Sequence, residues 1–160
     1  KNPNRYLMVP GYAASVSGVL DKGFELPTDT VEDKIILSVH AYTPYNFALE
    51  AGSVDSFSID KSSSVMEIDQ FMTQLYDKFV SQEVPVVLGE FGARDKNGNT
   101  QDRVDFATYY VAAARARGMT SIWWDNGAFS GDGEIFGILD RESATWRFPD
   151  IVEGLMKYAE

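Results

Sequence analysis

Four short, apolar, β-rich runs occur at residues 6–12 (YLMVPGY), 35–42 (IILSVHAY), 84–92 (VPVVLGEFG) and 121–127 (SIWWDNG). Each breaks into glycine, proline or polar residues at its C-terminal end, and this pattern constrains the fold more than any other feature of the chain. Near-continuous apolar strands of this kind suit a parallel sheet covered on both faces. Helical patterns fill the gaps. Val65, Ile68, Phe71, Met72, Leu75 and Phe79 recur at helical spacing after Ser64 and Glu67, which have the spacing of a capping box, and this helix is expected to end near Gln82. Val104, Ala107, Val111 and Ala114 make the stripe of a further helix closing at Arg115 and Arg117, just before Gly118. A last helix opens at Pro149 with Ile151, Val152, Leu155 and Met156 on one face, and a weaker helical stretch runs over residues 13–22.

Strand and helix alternate four times, which implies right-handed parallel crossovers and an α/β fold. Four such units raise a closure problem. An open four-stranded sheet has two unpaired edges, whereas a complete (β/α)₈ barrel needs roughly 200–250 residues, and this chain has 160. It is therefore a small doubly wound domain or half of a barrel. Neither GxGxxG nor GxxxxGK[ST] follows any strand, so the phosphate loop of a nucleotide-binding doubly wound sheet is missing. The half barrel is favoured, spanning residues 1–160 as one unit. The opening Lys1-Asn2-Pro3, without methionine, reads as a processed or cut piece.

Composition narrows the partners. A formal charge of -10 argues against nucleic acid or an anionic membrane as partner and favours a neutral or cationic ligand. No apolar run approaches the ~20 residues of a membrane span. With no cysteine and one histidine, thiolate sites, disulfides and imidazole metal clusters are excluded.

In a parallel α/β sheet, function gathers at the C-terminal ends of the strands. Those ends carry Tyr12, then His40 and Tyr42, then Glu90, then Trp124 with Asp125 and Asn126. Each has a bland reading as well. Glu90 can cap or pair with a cation, His40 can be a satisfied structural histidine, and Tyr42 and Tyr45 can be wall residues. Strand alternation sends Trp123 and Trp124 to opposite sides, so one packs under the helices while the other can offer its ring to a ligand.

At these positions the sequence resembles glycoside hydrolase family 5, most closely its bacterial endo-β-1,4-glucanases. The resemblance rests on VPGYAAS (residues 9–15), VHAYTPY (39–45), LGEFG (88–92) and WWDNG (123–127) and covers essentially the whole chain. It implies strands five to eight of a (β/α)₈ barrel, Glu90 as catalytic nucleophile, Tyr42 holding Glu90 in line, and His40 orienting substrate or the acid/base network. Trp124 resembles the residue that stacks on the sugar next to the scissile bond, with Asn126 contacting a hydroxyl and Tyr45 lining the substrate site. The family's acid/base glutamate, in an Asn-Glu-Pro motif, has no counterpart here. Retaining hydrolysis needs two carboxyl groups roughly 5–5.5 Å apart, so the resemblance implies activity on β-glucan only together with an N-terminal half-barrel polypeptide. It also implies secretion and no metal or organic cofactor. Residues 50–58 lack a tryptophan that relatives often carry, and Phe57 is the expected substitute. The rival readings are a non-catalytic carbohydrate-binding or engineered half-barrel scaffold, and an unrelated small-molecule-binding α/β domain.

Overall fold

The computed structural model describes residues 4–52, 54–131 and 133–158. Four parallel strands, β1 (Leu7–Ser15), β2 (Ile35–His40), β3 (Val86–Phe91) and β4 (Thr120–Trp123), pair in the order β1-β2-β3-β4. The helices are α1 (Val16–Leu20), α2 (Tyr45–Ala48), α3 (Ser62–Lys78), α4 (Thr100–Arg115) and α5 (Pro149–Met156). A short antiparallel pair, β5 (Leu139–Asp140) and β6 (Thr145–Trp146), precedes α5. The sheet is thus one arc of parallel strands with β1 and β4 at its edges, the architecture of half a (β/α)₈ barrel.

The helices cover one face of this arc. Leu37 and Val39 of β2 and Val86 and Leu88 of β3 are buried there against Ile68, Met72 and Leu75 of α3 and Phe106 and Tyr110 of α4. Tyr110 joins packing to polar satisfaction: its ring stacks on Phe91 at 4.1 Å, and its hydroxyl donates to the Ala41 carbonyl at 2.9 Å. Alternation turns Ile36, Ser38, His40, Val87 and Gly89 to the opposite, concave face. On the edge strands Met8 and Ile122 are half exposed, as apolar side chains are when no neighbouring strand covers them.

Four local expectations need correction. The stretch 13–22 is not helical from its start. Ala13 and Ala14 adopt left-handed φ values of 52° and 51°, which excludes a right-handed helix there. The helix starts at Val16, capped by Ser15, whose hydroxyl accepts from the Gly18 N–H at 3.0 Å. Ser64 is not an N-cap either. The helix α3 already begins at Ser62, and the Ser64 hydroxyl instead accepts from the Ser58 N–H at 3.4 Å. Phe57 is no substitute for a sugar-facing tryptophan. It is 4% exposed, with its ring against Phe47, Phe106 and Tyr109. Finally, α2 and the β5–β6 pair were not expected, being too short to show a period.

Candidate active site

Parallel pairing, with an irregularity after Val39, brings His40 beside Glu90 in register. Two residues past the end of β2, Tyr42 reaches the same point. Its hydroxyl donates to Glu90 Oε2 at 2.9 Å, and His40 Nδ1 lies 3.4 Å from that oxygen. Two residues from the β2 end therefore converge on one carboxylate at the end of β3, on the C-terminal rim of the sheet. Gly89 makes the convergence possible, because a Cβ there would stand 2.9 Å from Ser38 Oγ and 3.4 Å from the His40 ring.

The Tyr42 phenol is held neutral. Burial raises its pKa well above the ordinary value, and the bond to Glu90 and the charges of Glu90 and Glu134 push the same way. It consequently acts as a donor to Glu90 rather than as a base. Its ring rests on Phe136 at 5.4 Å, and Phe136 also packs closely on Gly92, where a Cβ would stand 3.2 Å from its ring. The loop after β4 thus buttresses the tyrosine that buttresses the carboxylate.

The two tryptophans separate as alternation requires. Trp123 packs edge-on against Phe91 at 5.4 Å and donates from Nε1 to the Phe136 carbonyl at 3.3 Å. Trp124 is 39% exposed, and its backbone N–H is tied to the Phe91 carbonyl at 2.8 Å. Its indole therefore stands on a rigid strand end, one strand away from Glu90. Tyr45 opens α2 just after the β2 rim and is exposed. Asn126 is largely engaged within its own loop. Its Oδ1 accepts from the Ala128 and Phe136 N–H groups at 3.0 and 3.3 Å, and Nδ2 donates to the Glu134 carbonyl at 2.7 Å.

Three supporting residues, Arg103, Arg94 and Lys96, escaped the sequence reading, whereas Asp125 was already among the strand-end residues. Arg103 of α4 is fully buried; its Nε donates to the Ala93 carbonyl at 3.0 Å, and Nη1 sits 3.8 Å from Asp95. It pins the turn that follows Glu90, although burial lowers its pKa to about 10 against the opposing pull of Asp95. Arg94 donates to the Leu49 carbonyl at 3.1 Å and the Gly133 carbonyl at 2.6 Å, joining the loops after β2 and β4. Lys96, held by the Asn46 and Val54 carbonyls at 2.7 and 2.8 Å, repeats the tie on the β2 side. Asp125 fixes the β4 loop through the N–H groups of Gly127 and Leu139 and through Arg141. Only the acid side chain of Asp125, adjacent to WW in the strand-end motif, offered a sequence signal; the others act on carbonyls distant in the chain.

Among the described residues no group of three or more His, Asp or Glu side chains could hold a metal ion, and no helix is long and apolar enough to cross a membrane. A cavity of about 630 Å³ between α4 and α5, around Val104, Thr108 and Gly154, lies away from this rim.

A parallel arc of strands with an oriented carboxylate and an exposed indole at its C-terminal rim defines a (β/α)-barrel protein of the kind that works at that face. Comparison with known proteins gives the family. Residues 1–130 match the model of cellulase (glycosyl hydrolase family 5), and the chain belongs to that family. It is 42% identical over 159 residues to Endoglucanase 1 of Ruminococcus albus, covering 99% of this chain and 37% of that protein. It is 43% identical to Endoglucanase A of Clostridium longisporum, covering 98% of this chain and 30% of that one. A mutant of the family 5 lichenase from Caldicellulosiruptor sp. F32, solved with cellotetraose, superposes with a TM-score of 0.96 at 58% identity, over 99% of this chain and 44% of that chain. The chain thus spans less than half of the length of each of these relatives.

Proposed function

We propose that this chain is the C-terminal half of the catalytic barrel of a secreted, retaining endo-β-1,4-glucanase. In this reading Glu90 is the nucleophile, and the acid/base carboxyl comes from an N-terminal half-barrel. The observation that carries the reading is the Tyr42–Glu90–His40 convergence at the strand rim. A retaining reaction needs an ionised carboxylate fixed against the anomeric carbon. Tyr42, neutral and donating, fixes one oxygen of Glu90 and leaves Oε1 to attack. Attack forms a glycosyl ester while the second carboxyl protonates the departing sugar oxygen. Water activated by that same group then cleaves the ester. In this second step Glu90 leaves as a carboxylate, and the Tyr42 hydroxyl is positioned to stabilise the charge as it returns. Trp124 supplies an apolar face for the sugar ring beside the bond being cut. The cellotetraose bound to the Caldicellulosiruptor relative supports a β-glucan as substrate.

The test is to combine this chain with the N-terminal half and follow reducing-end release from a soluble β-glucan. Glu90→Gln, which keeps shape and removes the attacking charge, is expected to lower the rate by several orders of magnitude while the complex stays folded by circular dichroism. Near-normal turnover by that variant removes Glu90 from the mechanism. Activity of this chain alone refutes the need for a second half.

A further inference from the structure

Asn126, two residues past Trp124, spends its side chain on the loop that follows β4. Oδ1 accepts from the Ala128 N–H at 3.0 Å and the Phe136 N–H at 3.3 Å, and Nδ2 donates to the Glu134 carbonyl at 2.7 Å. The Phe136 N–H and the Glu134 carbonyl flank Ile135, so the amide meets this edge as a neighbouring strand would. Both lone pairs of Oδ1 and one of the two Nδ2 hydrogens are committed, which leaves a single N–H for any sugar. The segment it grips is tied at every step. The Gly133 carbonyl accepts from Arg94 at 2.6 Å, the Ile135 carbonyl from the Asp95 N–H at 2.9 Å and the Phe136 carbonyl from Trp123 Nε1 at 3.3 Å. The Gly137 N–H donates to the Ala128 carbonyl at 2.9 Å. Residues 133–136 thus form a strap fastened to the turn after β3 and to the end of β4.

Of the strap's side chains, Phe136 is buried completely. Its ring lies 5.4 Å from that of Tyr42 and 3.2 Å from where a Cβ on Gly92, two residues after Glu90, would stand. Pressed between the β3 end and Tyr42, it limits how far the phenol can swing, and the phenol in turn holds Glu90 Oε2 at 2.9 Å. A close-packed interior transmits a displacement rather than absorbing it. Removing the Asn126 amide leaves the Phe136 N–H and the Glu134 carbonyl without their partners, and the strap loses its hold on the position of the ring. We propose that Asn126 is a positioning residue for hydrolysis: through Phe136 it fixes Tyr42, and through Tyr42 the carboxylate of Glu90. The assignment rests on the glucanase reading above and replaces the sugar-hydroxyl contact that the family resemblance implied for Asn126.

The experiment follows cleavage of an activated aryl cellobioside by the assembled barrel carrying Asn126→Ala, Phe136→Leu or Tyr42→Phe, and by each of the first two combined with Tyr42→Phe, with folding checked by circular dichroism. Asn126→Ala and Phe136→Leu are each expected to lower kcat by up to roughly tenfold with KM within about twofold of the unmodified value. Both are expected to show a burst of released phenol, the sign of slowed breakdown of the glycosyl ester. In the Tyr42→Phe background either change is expected to cost less than about twofold more, because the group it positions is already gone. Asn126→Ser keeps an acceptor for the turn to Ala128 but does not reach residues 134 and 136; it is expected to behave as Asn126→Ala does and takes its place if that variant does not fold. A raised KM at unchanged kcat overturns the assignment, because the side chain is then a sugar contact. Unchanged kcat and KM overturn it too, as do losses that multiply with that of Tyr42→Phe. Each of these outcomes leaves the glucanase reading standing. Failure of the unmodified barrel to cleave the substrate overturns that reading, and the Asn126 assignment with it.

Discussion

Replacing Tyr42 by phenylalanine deletes one hydroxyl and keeps the ring on Phe136. The deleted group donates to Glu90 Oε2 at 2.9 Å, and a hydrogen bond to a charged acceptor contributes about 1.5–3 kcal/mol. Glu90 is partly open to solvent, its side chain being 27% exposed, so water replaces some of the loss and the lower end of that range applies. At 1.36 kcal/mol per factor of ten, about 1.5 kcal/mol corresponds to roughly a tenfold fall in kcat. His40 Nδ1, 3.4 Å away, still restrains the carboxylate, which limits further loss. The slower step is expected to be breakdown of the glycosyl ester, because the hydroxyl stabilises the carboxylate as it leaves. Stopped-flow measurement with an activated aryl cellobioside on the assembled barrel therefore ought to show a burst of released phenol in Tyr42→Phe that is absent or smaller in the unmodified barrel. A loss as large as that of Glu90→Gln would give Tyr42 a part in bond making. A change below about twofold in every phase would mean that the hydrogen bond positions nothing.

Other consequences separate binding from folding. Trp124→Ala is expected to weaken oligosaccharide binding by roughly 2- to 13-fold with little change in melting temperature, whereas Trp123→Ala costs about 3 kcal/mol of stability; titration and thermal melting of both variants check this. Phe57→Ala, which empties an aromatic cluster rather than a sugar site, is expected to cost about 3–5 kcal/mol while leaving KM in the folded protein unchanged. The Tyr109 phenol, pushed up to about 12 by burial and by its bond to Asp69, keeps its proton longer in the folded state than in the unfolded one. Its contribution is thus complete below pH 10 and lost as pH climbs toward 12, and denaturant melts of Tyr109→Phe are expected to show a shallower decline across that window.

The parts of this fold legible in the sequence were those written locally. Each of the four strands carries its own apolar run, and α4 and α5 carry their stripe, closing residues and opening proline within a few positions. The failures have non-local causes. Ala13 and Ala14 have high helix propensity, yet they lie left-handed within the register shift between Pro10 and Ser15, where pairing of β1 with distant β2 is interrupted. Phe57 lies in a polar stretch and is claimed by Phe106 and Tyr109, about fifty residues onward. At the site, Glu90, Tyr42 and His40 stood out because strand ends are where parallel sheets gather chemistry. Arg103, Arg94 and Lys96 did not stand out, since a cation that binds a backbone carbonyl leaves no mark on the residue it binds.

The claim that Glu90 attacks the sugar is tested most directly by trapping the bond it forms. The assembled barrel would be treated with an activated 2-deoxy-2-fluoro-cellobioside, digested, and its peptides sequenced by mass spectrometry. The account predicts one glycosyl adduct, on Glu90, which is absent from Glu90→Gln; an adduct on any other residue, or none in a preparation that still hydrolyses β-glucan, would contradict it.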